Sequence, residues 1–468
     1  MKITTTTIKK MAFEQLPLSV SVVHTKAAYE KRIAKALAAA QQKGLTHLLI
    51  YADKEHFANL HYFTGFDPRF EEALLILSFD YKPLLLVGHE GALFASIIPI
   101  DVEVMVHESM SLLGQNRHHL SQQILNQAYE KVKINTSSCV GLIGWKYFTT
   151  VEAAQPQYMF ETPHYLVESL HAKVGKEQVI NACELLMGAK NGLRARLDID
   201  EMAVLELSAT KTSRSVYNFF LHLEEGMSEM EASLLLGIDG NPVIAHPVVD
   251  FTAEAVLMGL SSPTEAPLKR GSVYNVGFGY RSSLVARTGI YVTNRQEFDE
   301  YYPFSWEKAY VPYYKIIANW YNLVRIGTTG QHVVRELKKR VPEFEKLGIG
   351  LNPGHLIHND EWVNSLFVED EAIELQSGMA LQSDIIANPV GHPGLHIEDG
   401  LILADKQTQQ QFAQAYPEAY QRIQRRQKMM KEVLHFDIGE ELMPLSDMQG
   451  LYFPFGSDVT TIMAVAKE

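Results

Sequence analysis

Three short segments between residues 350 and 403 concentrate side chains that can do chemistry. GLNPGHLIHNDEW holds His355, His358, Asp360 and Glu361. GMALQSDIIANP places Asp384 inside an apolar strand pattern. GLHIEDGLIL holds His396, Glu398 and Asp399. A carboxylate in an apolar strand is costly to bury unless it is paired or coordinates a metal. On a strand, His396 and Glu398 point to the same face. His355, Asp384, His396 and Glu398 are all competent ligands, and histidine with carboxylate suits Zn, Mn, Fe or Co. The plainer alternative is a set of satisfied polar groups at strand ends. That the three clusters follow one another within about 45 residues favours a shared site.

Such groups need elements to hold them. Residues 27–43, AAYEKRIAKALAAAQQK, combine helix formers with an apolar period at Ile33, Ala36, Leu37 and Ala40, and Gly44 is a stop. THLLIYA reads as a buried strand. FEEALLILSF and KPLLLVG are two more, with a turn at Asp80–Pro83. VEVMV and VGLIGW continue the alternation, which predicts an α/β N-terminal domain over residues 1–174. From residue 175 the pattern changes. KEQVINACELLMGAKNGL and DIDEMAVLELSATKTSRSVYNFFLHLEEG read as long helices, the second closed by Gly226. GMSEMEASLLLGI reads as a helix with Ser228 as N-cap and Glu231 three residues on. SVYNVGFGY, SLVARTGIYV, GMALQSDIIANPV and LHIEDGLILA follow as strands, with a helical stretch from Glu307 to Arg340 among them. The second domain, 175–468, is therefore α+β, with helices on a mainly antiparallel sheet. Its tail, 406–468, reads as helix containing Pro417 and a final strand-like LYFPF.

The chain has 468 residues with 55 Asp plus Glu against 42 Lys plus Arg, a net charge of −13. That balance speaks against a general nucleic-acid partner. Cys139 and Cys183 are expected to be reduced, buried thiols. The most apolar stretch, Ala73 to Gly88, is interrupted by Asp80, Lys82 and Pro83, so no membrane span is expected. MKITTTTIKKMAFEQLP lacks an apolar run of signal-peptide length, and the expected location is cytoplasmic. His118 and His119 read as solvated. Tyr301, Tyr302, Tyr310, Tyr313 and Tyr314 read as packing or a pocket wall. RIQRRQKMMK reads as a basic helical face, solvated or at a subunit contact.

The order of these segments resembles the superfamily of methionine aminopeptidases, Xaa-Pro aminopeptidases, prolidases and creatinase, over nearly the whole chain. KGLTHLLIYADKEHFANLHYFTGF, EEALLIL, KPLLLVG and GLIGWKYF are similar to the creatinase/prolidase N-terminal domain. LKRGSVYNVGFGYRSSLVARTG, GHLIH, GMALQSDII and GLHIEDGLIL are similar to segments of its pita-bread catalytic domain, which implies a curved, mainly antiparallel sheet under helices. The metallopeptidases of this superfamily hold two divalent ions with two Asp, one His and two Glu. Carried over by position, His355 matches the His, Asp384 replaces the first Glu, and Glu398 matches the second. Asn275 replaces the first Asp, and the second falls at Leu284. No Asp, Glu, His or Cys lies between Glu265 and Glu297. His396 stands where the family has Arg.

The resemblance thus implies a Xaa-Pro aminopeptidase- or prolidase-like hydrolase of peptide or related C–N bonds, with an altered site for one divalent metal (Mn, Zn, Co or Fe) or none. The single-ion ligands would be His355, Asp384, His396 and Glu398. The catalytic set would be His355, His358 and Glu398, with an ion-activated water attacking an amide and His358 stabilising the tetrahedral intermediate. The alternative is a catalytically inactive or creatinase-like, metal-free member that binds a small molecule or peptide. Creatinase's acid/base His has no counterpart in GLSSPTEAPLKRG, and His246 reads as a strand-end residue. Small peptides or small C–N compounds are the expected substrates, and a homodimer the expected assembly.

Overall fold

HLLIYA becomes a strand because an unbroken apolar run of strand length can be buried on both faces of a sheet. All six residues of His47–Ala52 are buried. The structure, a computed structural model, describes residues 1–20, 24–112, 123–361 and 364–467. His118 and His119 lie outside these. The chain divides into two units, Val23–Ala195 and Met1–Val22 with Arg196–Glu468.

In the first unit, six strands form a mixed sheet in the order Glu103–Val106, Leu84–Val87, Ala73–Ser78, His47–Ala52, Val140–Ile143, Val179–Asn181. Its core joins Leu49, Leu74, Leu86 and Leu142 to Leu166 and Leu170 of the helix His164–Val174. The helix Lys26–Gln42 starts where the Thr25 side chain accepts the Ala28 N–H, and Gly44 follows it at φ +74°. The helix expected over residues 176–193 is corrected. Val179–Asn181 pairs with Val140–Leu142 as a strand, and only Glu184–Met187 is α-helical. Two β-branched residues beside an open sheet edge outweigh local helix propensity, and Gly188 and Gly192 interrupt the rest. The boundary at 174/175 is corrected with it, since residues 175–195 close the first unit.

The second unit begins elsewhere too. Ile3–Thr7 pairs antiparallel with Thr461–Val465, so the first residues of the chain belong to the C-terminal unit. The strand of the tail is Thr461–Val465 rather than LYFPF, which runs through the interior outside any strand. Two antiparallel sheets carry the site. One has the order Ile385–Ala387, Leu395–Glu398, Val285–Ile290, Val273–Phe278, Val248–Asp250. The other has the order His355–Leu356, Ala380–Gln382, Gly400–Leu403, Leu442–Pro444. The chain passes from one sheet to the other twice, at Ser383–Asp384 and at Asp399. GMALQSDIIANPV and LHIEDGLILA are thus each two strands joined by a crossing. The crossings are stitched together, because the Ser383 N–H donates to the Asp399 carbonyl at 3.0 Å.

Helices line this unit. Ile199–His222 starts in a capping box of Asp198 with Glu201, and Glu229–Leu234 in one of Ser228 with Glu231. The stretch from Glu307 to Arg340 holds two α-helices, Val311–Leu323 and Gly330–Arg340, parted by a turn. Pro417 opens a new helix, Pro417–Glu432, after Lys406–Ala415. The basic run on Pro417–Glu432 is split between two faces, with Arg425 and Lys428 exposed as expected and two arginines turned inward. Arg422 and Arg426 are buried on Glu206, and Arg426 also bonds Asp447. Tyr310, Tyr313 and Tyr314 are fully buried, whereas Tyr301 is exposed. Cys183 is buried and Cys139 half-buried, both as thiols.

Candidate functional site

The two crossings deliver their polar residues to one place. His355 sits on the strand beside Ala380–Gln382, Asp384 follows the first crossing, and Glu398 precedes the second. All three are buried, and one ligand atom from each lies within 4.8 Å of the others. His355 Nε2 is 3.9 Å from an oxygen of Asp384 and 3.9 Å from one of Glu398. Its Nδ1–H donates to the Leu356 carbonyl at 2.8 Å. Burial lowers the His355 pKa, against the pull of Asp384, so the ring is neutral and Nε2 carries a lone pair. A lone pair and two carboxylates facing inward are the donor chemistry of a divalent-cation site.

His396 joins them. Its Nε2–H donates to Asp384 Oδ1 at 2.7 Å and lies 3.8 Å from Glu398 Oε2. Burial alone would raise the Asp384 pKa. The hydrogen bond and charge of His396 outweigh it and hold Asp384 below the usual carboxylate range. Glu398 goes the other way. Burial, then the charges of Asp384 and Glu361, push its carboxyl well above the usual range. Two neighbouring carboxyls with opposed proton affinities are a pattern found at functional sites.

Five further residues enter. Glu361, half-buried, is pushed up to about 7 by burial and the Asp384 charge. It stood in the first sequence cluster without a role, and spacing alone offered no sign of its proximity to Asp384. Gln382 donates to Glu398 Oε1. Arg287 is buried, donates to the Glu398 carbonyl at 2.8 Å and pairs with Asp399 at 2.7 Å. Asp399 therefore anchors the crossing, and Gly400 begins the next strand. Glu201 holds His358, with Oε1 3.1 Å from Nε2, while its Oε2 accepts the Asp198 N–H at the helix start. The structure brings His355, Asp384, His396 and Glu398 together, and places His358 on the end of the helix Ile199–His222. His246 is exposed in the loop before Val248–Asp250.

Asn275, at the first position where the resemblance expects Asp, has a visible partner. Strand register puts Asp250, Asn275, Thr288 and His396 in one row across the sheet. Thr288 Oγ1 donates to Asn275 Oδ1 at 3.0 Å, and Asn275 Nδ2 donates to Asp250 Oδ2 at 3.2 Å. Asp250 is fully buried, and burial raises its pKa to about 6, with Asn275 lowering and Glu229 raising it less. An amide is the side chain that satisfies both neighbours. The other expected Asp position, Leu284, is half-buried and offers its backbone carbonyl to Gln382.

The site lies in a fold seen before. The chain has the two-domain fold of the prolidases and Xaa-Pro peptidases, an α/β N-terminal domain followed by a pita-bread domain. It is similar to the Xaa-Pro dipeptidase of Bacillus anthracis at TM-score 0.61 and 14% identity, over 81% of this chain and 96% of that one. It is also similar to the X-Pro aminopeptidase of Thermotoga maritima, at TM-score 0.60 and 15% identity over 80% and 95% of the two chains. The prolidase of Pyrococcus horikoshii gives TM-score 0.60 and 12% identity over 80% and 95%. No family model matches the sequence, and no curated protein matches it. Among the described residues, no helix is long and apolar enough to cross a membrane.

Proposed function

We propose that the protein is a prolidase-like hydrolase of small peptides or related C–N bonds, working with one divalent ion. The observation that carries this is the convergence of the His355 Nε2 lone pair with the Asp384 and Glu398 carboxylates, all buried. These residues fit one divalent cation, with His396 fixing Asp384 from behind. They do not fit the two-ion arrangement, because Asn275 is committed to Asp250 and Thr288 and Leu284 carries no ligand. When bound, the ion supplies Lewis-acid polarisation of the scissile carbonyl and lowers the pKa of water.

The chain's own groups do the rest. Glu361, near 7, suits general-base work at neutral pH, where a base must both accept and release a proton. Glu201 takes the Nε2–H of His358, so in the tetrahedral-intermediate role it is the imidazolium form, with its second N–H at Nδ1, that would meet developing oxyanion charge. Arg287 and Gln382 hold Glu398 in register. A homodimer in the cytoplasm acting on Xaa-Pro dipeptides completes the proposal. The test is metal content of the purified chain measured together with Xaa-Pro dipeptide hydrolysis. We expect one ion per chain, released by Glu398→Gln with loss of turnover. Turnover surviving ion removal would overturn the reading.

A second reading has its own observation. The 2.7 Å His396–Asp384 bond and the raised proton affinity of the Glu398 carboxyl favour a cluster that holds together without a cation. This supports a metal-free binding protein, which would retain affinity for peptide after chelation while showing no turnover.

A further inference from the structure

Gln382 is fully buried and stands in register between His355 on one neighbouring strand and Gly400 on the other. Its Nε2 donates to the Leu284 carbonyl at 2.9 Å and to Glu398 Oε1 at 3.2 Å. A backbone carbonyl can only accept, so the amide nitrogen must face Leu284, and one N–H goes to each oxygen. The amide oxygen then faces Gly400, where a Cβ would lie 2.6 Å from it. Glycine at 400 is what leaves room for this orientation.

We propose that Gln382 is a positioning residue that holds Glu398 for a single divalent cation and closes the Leu284 side of that carboxylate to a second one. Glu398 Oε1 is also the oxygen 3.9 Å from His355 Nε2. The N–H of Gln382 takes one lone pair and leaves the other toward His355 and Asp384. On the far side a cation would meet the Gln382 amide protons where it needs lone pairs. No acidic, histidine or cysteine side chain occurs from residue 266 to residue 296 to offset its charge. Donor protons and missing anions therefore act in the same direction. Hydrogen-bonded partners of this kind usually alter metal affinity by about 10–100-fold when removed.

This inference rests on the one-ion reading, and the experiment separates the two. The full chain is titrated with manganese(II) alone by calorimetry, with stoichiometry checked by elemental analysis. Wild type is expected to take one ion. Gln382→Met keeps the volume but removes both N–H groups, and is expected to bind that ion about 10–100-fold more weakly. Gly400→Ala, which displaces the amide without touching a donor, is expected to act in the same direction. Loss of two buried hydrogen bonds lowers the apo thermal midpoint in either case, so the discriminating readout is the ion affinity of the folded protein, which a merely structural role would spare. The double variant N275D/L284D, with Gln382 in place, should still take one ion. Near-UV circular dichroism checks each fold, and Gly400→Ala carries the comparison alone where Gln382→Met does not fold. Two ions bound by N275D/L284D would overturn the proposal. So would wild-type affinity in the folded Gln382 and Gly400 variants, with the one-ion reading left standing. Wild type taking no ion would overturn both.

Discussion

His396 Nε2 and Asp384 Oδ1 lie 2.7 Å apart across the pair of strands Leu395–Glu398 and Ile385–Ala387. The bond ties the residue that follows one crossing to the strand that leads into the other. It also keeps Asp384 ionised where burial alone would raise its pKa.

His396→Gln should therefore weaken divalent binding. The expected loss of manganese affinity at pH 7.5 is about 10–100-fold. With less to hold its anion, Asp384 takes up a proton at higher pH, so the deficit should widen at pH 5.5. Calorimetry at the two pH values measures this, and an equal deficit at both would remove His396 as the cause.

Glu361 sets a second pH dependence. Its carboxyl is pushed up to about 7, so the basic form grows as pH rises through neutrality. A bound cation offsets the Asp384 charge that helps to raise it, so turnover of a Xaa-Pro dipeptide should climb along a limb displaced below about 7. Glu361→Gln should lower kcat by about 10²–10⁴-fold and remove the limb. A limb unchanged in position in Glu361→Gln would assign it elsewhere.

Asp250 makes the protein more stable in mild acid. Its pKa rises on folding from 3.8 to about 6, so the folded state holds the proton more tightly. The contribution is fully present below about pH 4 and is lost as pH rises through about 6. Asp250→Asn should raise stability at pH 8 by about 1–3 kcal/mol and change it little at pH 4. Urea midpoints at both pH values test the sign.

Glu206 lies under two arginines, Arg422 and Arg426, all three buried. Glu206→Gln removes the charge and leaves two buried cations facing an amide. A loss of about 3–5 kcal/mol is expected in urea unfolding. A loss under about 1 kcal/mol would show that Asp447 alone balances Arg426.

Much of this was legible because it is local. Apolar runs marked HLLIYA, ALLILS and LLLV as strands, and Ser228 with Glu231 announced a helix start. The clusters around His355, Asp384 and Glu398 met because segment order carried the resemblance. What escaped depends on distant partners. Val179–Asn181 is a strand only because Val140–Ile143 lies beside it. Arg422 and Arg426 of the basic helix turn inward only because Glu206, far upstream, lies beneath them. Nothing in the spacing announces Asp250, whose relation to Asn275 exists only once two strands are in register.

The pairing of Ile3–Thr7 with Thr461–Val465 has a consequence for the order of events at the ribosome. A strand made among the first must wait, unpaired, until one made among the last emerges. The unit Val23–Ala195 carries its own core and is free to fold in the interval, as an insertion between the two halves of its host. Closing so long a loop is entropically slow to reward, so the host unit is the late folder. A nascent chain stalled before residue 461 would expose five residues of unpaired threonine-rich strand, a ready hold for a chaperone.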